Sequence, residues 1–112
     1  MPSNKIMQIV AAESSTPEKD AAFDKWYTGK HVPMLFQFKG VKQASRYRLK
    51  GDNKQCSKYL TIYEFESEEA LAAFPKSPAF TAAIADYENV KEEVGFTMKW
   101  AGVYELIKSW ER

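Results

Sequence analysis

The sequence predicts an α+β fold in which strands and helical regions alternate as β-α-β-β-α-β. Three observations carry that expectation: a β-branched apolar run near the start, two alternating segments around a turn-rich connection, and helical periodicity in the stretches between. The 112 residues are enough to bury one core and too few for two independent ones, so 1–112 is read as a single domain.

Lys5-Ile-Met-Gln-Ile-Val-Ala-Ala12 is short and mostly apolar, a largely buried first strand. Ser15-Thr-Pro-Glu18 then signals a helix start. Ser15 and Glu18 stand at capping-box spacing, and Pro17 is tolerated in a first turn, where its missing N–H would have no partner anyway. Phe23, Trp26, Tyr27 and Met34 follow at helical spacing, an aromatic stripe for the core. Pro33 disfavours helical geometry at Val32, so the helix is expected to end or kink near Lys30 to Val32, with a short second piece to Phe38 and Gly40 closing it.

Val41, Gln43, Ser45, Tyr47 and Leu49 alternate with Lys42, Ala44, Arg46 and Arg48, a strand pattern that separates polar from apolar poorly. Gly51-Asp-Asn-Lys54 is a turn-rich connection into Tyr59-Leu-Thr-Ile-Tyr-Glu-Phe65, the clearest strand signal in the chain, and the two strands should form a hairpin. Ser67-Glu-Glu69 opens a short helix that Pro75 stops. Ser77-Pro78 opens another, with Phe80, Ala83, Ile84 and Tyr87 at i, i+3, i+4 and i+7. Phe96 to Trp110 is aromatic-rich, a last strand with an extension, and Gly102 marks an expected bulge or bend.

Two interleaved right-handed β-α-β crossovers in one antiparallel sheet give the ferredoxin-like arrangement, with both helical regions on one face. The other face then needs a cover. Tyr59, Tyr63, Phe65, Phe96, Met98, Trp100 and Tyr104 fall on one or other side of the sheet, and a wet face would expose a large aromatic patch. A second copy, sheet against sheet, is the simplest cover, leaves room for a ligand, and could be reached by the extension through Trp110. A homodimer is therefore expected.

Composition narrows the function classes. Seven Phe, six Tyr and three Trp make an aromatic share of 14%, which calls for a deep core or an aromatic-lined cavity. Sixteen basic against fifteen acidic residues leave a formal charge of +1, too little to gather phosphates, so nucleic acid is not an expected partner. Lone Cys56 forms no internal disulfide, and with one His and one Cys no structural metal site is expected. Neither a Gly-rich phosphate loop nor a Gly-x-Ser-x-Gly nucleophile elbow occurs. The apolar run from Ile6 to Ala12 is too short for a signal peptide, and no segment approaches the roughly 20 apolar residues of a membrane span. A cytoplasmic protein without a membrane partner is the expectation.

The segments Phe23-Asp-Lys-Trp26-Tyr-Thr-Gly-Lys-His31-Val-Pro33, Gly40-Val-Lys-Gln-Ala-Ser-Arg46-Tyr-Arg48 and Tyr59-Leu-Thr-Ile-Tyr63-Glu64 resemble the dimeric α+β barrel superfamily, specifically its EthD-like members. The resemblance follows nearly the whole chain in element order, with its specific motifs between Phe23 and Glu64. It implies the fold and a dimer. It leaves activity open, because the superfamily holds cofactor-free monooxygenases, polyketide cyclases, lactone isomerases, haem-degrading enzymes and members without known function.

His31 leads the candidates, as the one histidine and the side chain best suited to proton transfer near neutral pH. Its alternative role is to cap carbonyls at a helix C-terminus. Trp26 and Tyr27 sit one turn earlier, as cavity wall or plain packing. Tyr63 and Glu64 point to opposite sides of their strand, so one of them faces the interior: Tyr63 as donor to an enolate oxygen, or Glu64 as a buried base. Arg46 can bind a carboxylate or phenolate, or lie solvated beside Arg48 on an edge strand. Phe36 and Trp100 are expected to supply apolar walls.

Haem needs only one axial histidine. The haem-degrading branch, however, resembles a different placement of that residue, so no cofactor is expected. The resulting expectation is a cofactor-independent cyclase, isomerase or oxygenase acting on a small aromatic or polyketide-like molecule. The rival is a non-catalytic homodimeric ligand-binding or structural module.

Overall fold

Alternation along β3 (Tyr59–Phe65) decides which side of the sheet is which: Tyr59, Thr61, Tyr63 and Phe65 are buried, while Leu60, Ile62 and Glu64 are only partly covered. A computed structural model describes residues 5–112. β3 lies between β2 (Val41–Arg48) and β1 (Ile6–Ser14), with β4 (Phe96–Glu105) outside β1. The order β2-β3-β1-β4, antiparallel at every neighbour, is the ferredoxin-like sheet.

The helical layer covers the Tyr59-to-Phe65 face. It comprises α1 (Asp20–Trp26), a π-helical turn at Tyr27–His31, α2 (Val32–Leu35), α3 (Glu68–Ala73) and α4 (Pro78–Val94). Ser67 and Ser77 cap α3 and α4 by accepting from the backbone N–H of Ala70 and Phe80 at 3.1 and 3.2 Å. The capping box expected at Ser15 and Glu18 does not form, and Thr16 precedes a single 3-10 turn at Pro17–Lys19 instead. Ser15 N–H already donates to Gly95 O at 2.9 Å, so it is not available to donate to the Glu18 carboxylate.

The kink expected before Pro33 takes the form of the π turn. Val32 N–H donates to Tyr27 O, five residues back, and the second helical piece ends at Leu35 instead of reaching Phe38. β4 stops at Glu105, and residues 106–112 carry no regular structure. Its register shifts opposite Ala11 and Ala12, not at Gly102. Gly102 gives room to the Tyr104 ring, whose nearest atom would stand 3.0 Å from an added Cβ. In α4, Ala83 is fully buried but Ile84 is 45% exposed, so the inward stripe is narrower than the heptad spacing predicts.

A second register shift, between Val41 and Gln43, accounts for the poor patterning of β2. It lets Val41 enter the core together with Ala44, while the same phase turns Arg46 and Arg48 toward the helices, opposite Thr61 and Tyr59. Gln43, Ser45 and Tyr47 then share the open face with Met7, Ile9, Leu60, Ile62, Glu64, Trp100 and Tyr104. Tyr47, Trp100 and Tyr104 remain about half exposed there. No helix among the described residues is long and apolar enough to cross a membrane.

Two buried clusters hold the layers together. One gathers Val10, Leu35, Val41, Tyr63, Phe65, Phe74 and Ala83, and the other Ala12, Phe23, Tyr27 and Tyr59. Phe23 is fully buried, with the Tyr27, Tyr59 and Phe96 rings at 5.3, 5.6 and 5.3 Å. Phe23→Ala should lower unfolding free energy by about 3–5 kcal/mol. Phe36→Ala, at a largely exposed residue, should cost about 1 kcal/mol or less. Urea denaturation of the two variants checks this, and equal losses would contradict the layer assignment.

Candidate active site

The π turn sets Tyr27 and His31 on one inward side, where both are buried. Trp26 stacks on His31, ring centroids 4.7 Å apart at 27°, and the Tyr27 ring also lies 4.7 Å from the imidazole. The indole N–H of Trp26 donates to Asp86 Oδ2 of α4 at 3.0 Å, and Lys30 Nζ meets the other oxygen of that carboxylate at 2.8 Å. His31 is 8% exposed, and its Nδ1 has no hydrogen-bond partner.

Burial strips water from an imidazolium and lowers the His31 pKa from 6.5 to about 4, with Asp86 opposing the shift and Arg46 adding to it. The ring is uncharged at neutral pH. Tyr63, from β3, is 2% exposed, and its hydroxyl has no partner. Burial drives its pKa far upward, and the adjacent Tyr27 hydroxyl pushes the same way, close enough to couple the two ionisations without meeting hydrogen-bond geometry. Burial also raises the Tyr27 pKa, against the pull of Thr61, Tyr63 and Arg46.

Arg46 enters this layer from β2. Its guanidinium carbon lies 4.6 Å from the Tyr27 ring centroid and 4.8 Å from that of Tyr59. Nη1 donates to Asp24 Oδ1 at 2.6 Å and to Thr28 Oγ1 at 2.7 Å, whereas Nε and Nη2 are buried without partners. A cleft of about 700 Å3, lined by Asp24, Lys25, Thr28, Gly29, Arg46, Tyr47, Arg48 and Tyr59, reaches Arg46 from solvent and stops short of His31 and Tyr63.

Of the residues singled out in the sequence, His31, Tyr63, Trp26, Tyr27 and Arg46 come together in one layer. Glu64, Phe36 and Trp100 do not join them. Glu64 lies across the sheet, with Lys5 at 3.5 Å and Lys42 at 3.6 Å, because strand alternation gives the inner face to Tyr63. The register shift at Ala11 and Ala12 leaves Trp100 on the open face, beside Tyr47, Leu49 and Leu60. Phe36 caps α2 at the surface.

Asp86 and Tyr59 belong to the cluster and were not singled out. Asp86 had a legible signal, an acid one turn after Ala83 on the inward stripe of α4. Among the described residues, no group of three or more His, Cys, Asp or Glu side chains could hold a metal ion.

The fold is ferredoxin-like, and solved structures that share it include an EthD family protein. HapK from Hahella chejuensis superposes with a TM-score of 0.72 at 11% identity, over 96% of this chain and 97% of that one. An ethyl tert-butyl ether D (EthD) family protein from Bacillus halodurans gives 0.63 at 19%, over 88% and 96%. A dimeric ferredoxin-like protein of unknown function from Thermobifida fusca gives 0.59 at 11%, over 95% and 92%. Residues 14–93 match the family model described as a domain of unknown function, DUF4286, and the chain belongs to that family. No curated protein matches it.

The state of His31 has a measurable consequence. Above pH 6.5 the imidazole is neutral in folded and unfolded chains alike and adds no pH dependence. Between 6.5 and about 4 only the unfolded chain takes up the proton, so stability should fall as pH drops. The loss should total on the order of 3 kcal/mol, and His31→Gln should remove it. An imidazole Cε1–H resonance that titrates near 6.5 would refute the burial of an uncharged ring.

Proposed function

We propose that this chain is a cofactor-independent enzyme acting on a small aromatic or polyketide-like molecule, bound between helix layer and sheet in each subunit of a homodimer. One observation carries the reading: His31 Nδ1, Tyr63 Oη and Arg46 Nε and Nη2 are buried polar atoms without partners, gathered in one aromatic-walled layer. Packed cores satisfy nearly all such atoms, and several left open together are a mark of a binding or catalytic site.

Charge state divides the labour. Uncharged His31 accepts a proton from the substrate, while Tyr63, protonated throughout the neutral range, donates to the oxygen on which charge develops. A base with a pKa near 4 is weak, so much of the driving force comes from stabilising the enolate or phenolate, and the Arg46 charge contributes to that. Trp26 and Tyr27 form the walls. Cyclisation, isomerisation and oxygen insertion all start from such a carbanion.

Pairing through the open sheet face covers Tyr47, Trp100 and Tyr104, and the Thermobifida fusca neighbour, described as dimeric, supports it. The free, exposed thiol of Cys56 suits the reducing cytoplasm. The rival reading, a non-catalytic homodimeric module over the same single domain, has its own support: Trp26 packs flat on His31, and the cleft ends at Arg46.

Proton exchange separates the two readings. In D2O with a panel of aromatic β-dicarbonyl compounds, the wild-type chain should exchange the acidic C–H of at least one member faster than buffer does. His31→Ala should slow that exchange by about 10²–10⁴-fold, and Tyr63→Phe by about 10²-fold. Exchange at the buffer rate with every member, or an undiminished rate in His31→Ala, supports the non-catalytic module. Sedimentation at micromolar concentration should give a dimer that Trp100→Glu with Tyr104→Lys dissociates. A wild-type monomer would remove the sheet-to-sheet pairing.

A further inference from the structure

We infer that the free edge of the Arg46 guanidinium is the anchor for a carboxylate on the bound molecule, which narrows the ligand to small aromatic acids. This rests on the proposal that a small molecule occupies the layer between helices and sheet. A guanidinium offers a side-on fork, in which the Nε–H and one Nη2–H run parallel and match the two oxygens of a carboxylate. In Arg46 that fork is the pair left open. Both atoms are buried and neither has a partner, while Nη1 is occupied by Asp24 Oδ1 at 2.6 Å, Thr28 Oγ1 at 2.7 Å and Asp24 O at 3.4 Å.

The side chain is held for this task from three directions. Tyr27 and Tyr59 stack on it at 4.6 and 4.8 Å, the Asp24 and Thr28 bonds stop rotation about the long stem, and its side chain is 13% exposed. An arginine so fixed loses little further freedom when it binds, which is the main entropic charge on an arginine–carboxylate contact. The surrounding field also favours an anion. Asp24 is shared by Arg46 at 2.6 Å and Arg48 at 3.6 Å, and Lys25 lines the same cleft, so three cations face one carboxylate. The cleft that Arg46 and Tyr59 line measures about 700 Å3, in the range of small-molecule sites, and the Tyr27 and Tyr59 rings lie over the guanidinium.

Benzoate and its neutral isostere benzamide test the assignment on the 15N-labelled full chain, with the Arg46 Nε–H resonance as the reporter. Benzoate should shift that resonance saturably, with a Kd about tenfold or more below that of benzamide and an affinity that falls with added salt. Inorganic phosphate should bind more weakly than benzoate. Arg46→Lys keeps the charge but lacks the fork and should lose the preference for benzoate, whereas Asp24→Asn, which leaves the fork intact, should keep it.

If Arg46→Lys fails to fold, the wild-type comparison of benzoate with benzamide still decides. Equal binding of the two at His31, Tyr63 and Arg46 overturns the anchor and leaves the small-molecule site standing. Tighter binding of phosphate, or benzoate shifts confined to Tyr47 and Trp100 on the open face, also overturns the anchor. If neither aromatic compound moves any signal in the layer, the anchor and the reading beneath it both fall.

Discussion

Much of this molecule depends on the aromatic layer that α1 and the π turn press onto β3. Phe23 sits at its centre with three rings within 5.6 Å, and Tyr27 and Tyr59 extend it toward Arg46. Edge-to-face contacts between rings are directional as well as apolar, so the layer fixes orientation along with burial. The placement of Trp26, His31 and Tyr63 follows from it. A side chain that could rotate freely in this layer would leave none of the polar atoms at a defined position.

The π turn has a physical reason of its own. An α-helix continued through Tyr27 would run into Pro33, which has no N–H for the carbonyl four residues before it. Widening the turn by one residue lets Val32 bond to Tyr27 and brings Tyr27 and His31 both inward. The same turn leaves Gly29 at the rim of the cleft, where it adds no side chain between solvent and Arg46. Helix geometry, the His31 environment and the approach to Arg46 are therefore linked through a single local irregularity.

Charge placement separates the two faces of the sheet. On the helix side, Asp24 and Asp86 each meet basic side chains; Asp86 also accepts from the Trp26 indole, and the Arg46 Nη1 that donates to Asp24 donates to Thr28 Oγ1 as well. On the open side, Glu64 lies between Lys5 and Lys42 at distances near 3.5 Å in a partly exposed setting, where such pairs add little to stability. The open face keeps its large aromatic side chains half covered. The buried unpartnered polar atoms thus lie under the helices, while the open face carries partly exposed ion pairs beside its aromatic side chains.

Element order, the limits of β3 and the start of β2, the two serine caps and the broken first helix were all legible in the sequence. Each is set by short-range physics: alternation, cap chemistry, and the missing N–H of proline. His31 was legible as the lone histidine, and Tyr63 as one of two residues competing for the inner face. Tertiary structure decided the rest. Two register shifts, at Val41/Gln43 and Ala11/Ala12, set which residues of β2 and β4 face the helices, sending Arg46 inward and Trp100 outward. Pairing between strands distant in sequence determines such a shift, so no local pattern could announce it. The same holds for Asp86, which meets Trp26 across 60 residues of chain, and for the open fork of Arg46, which exists only because α1 supplies Asp24 and Thr28 to occupy the other edge.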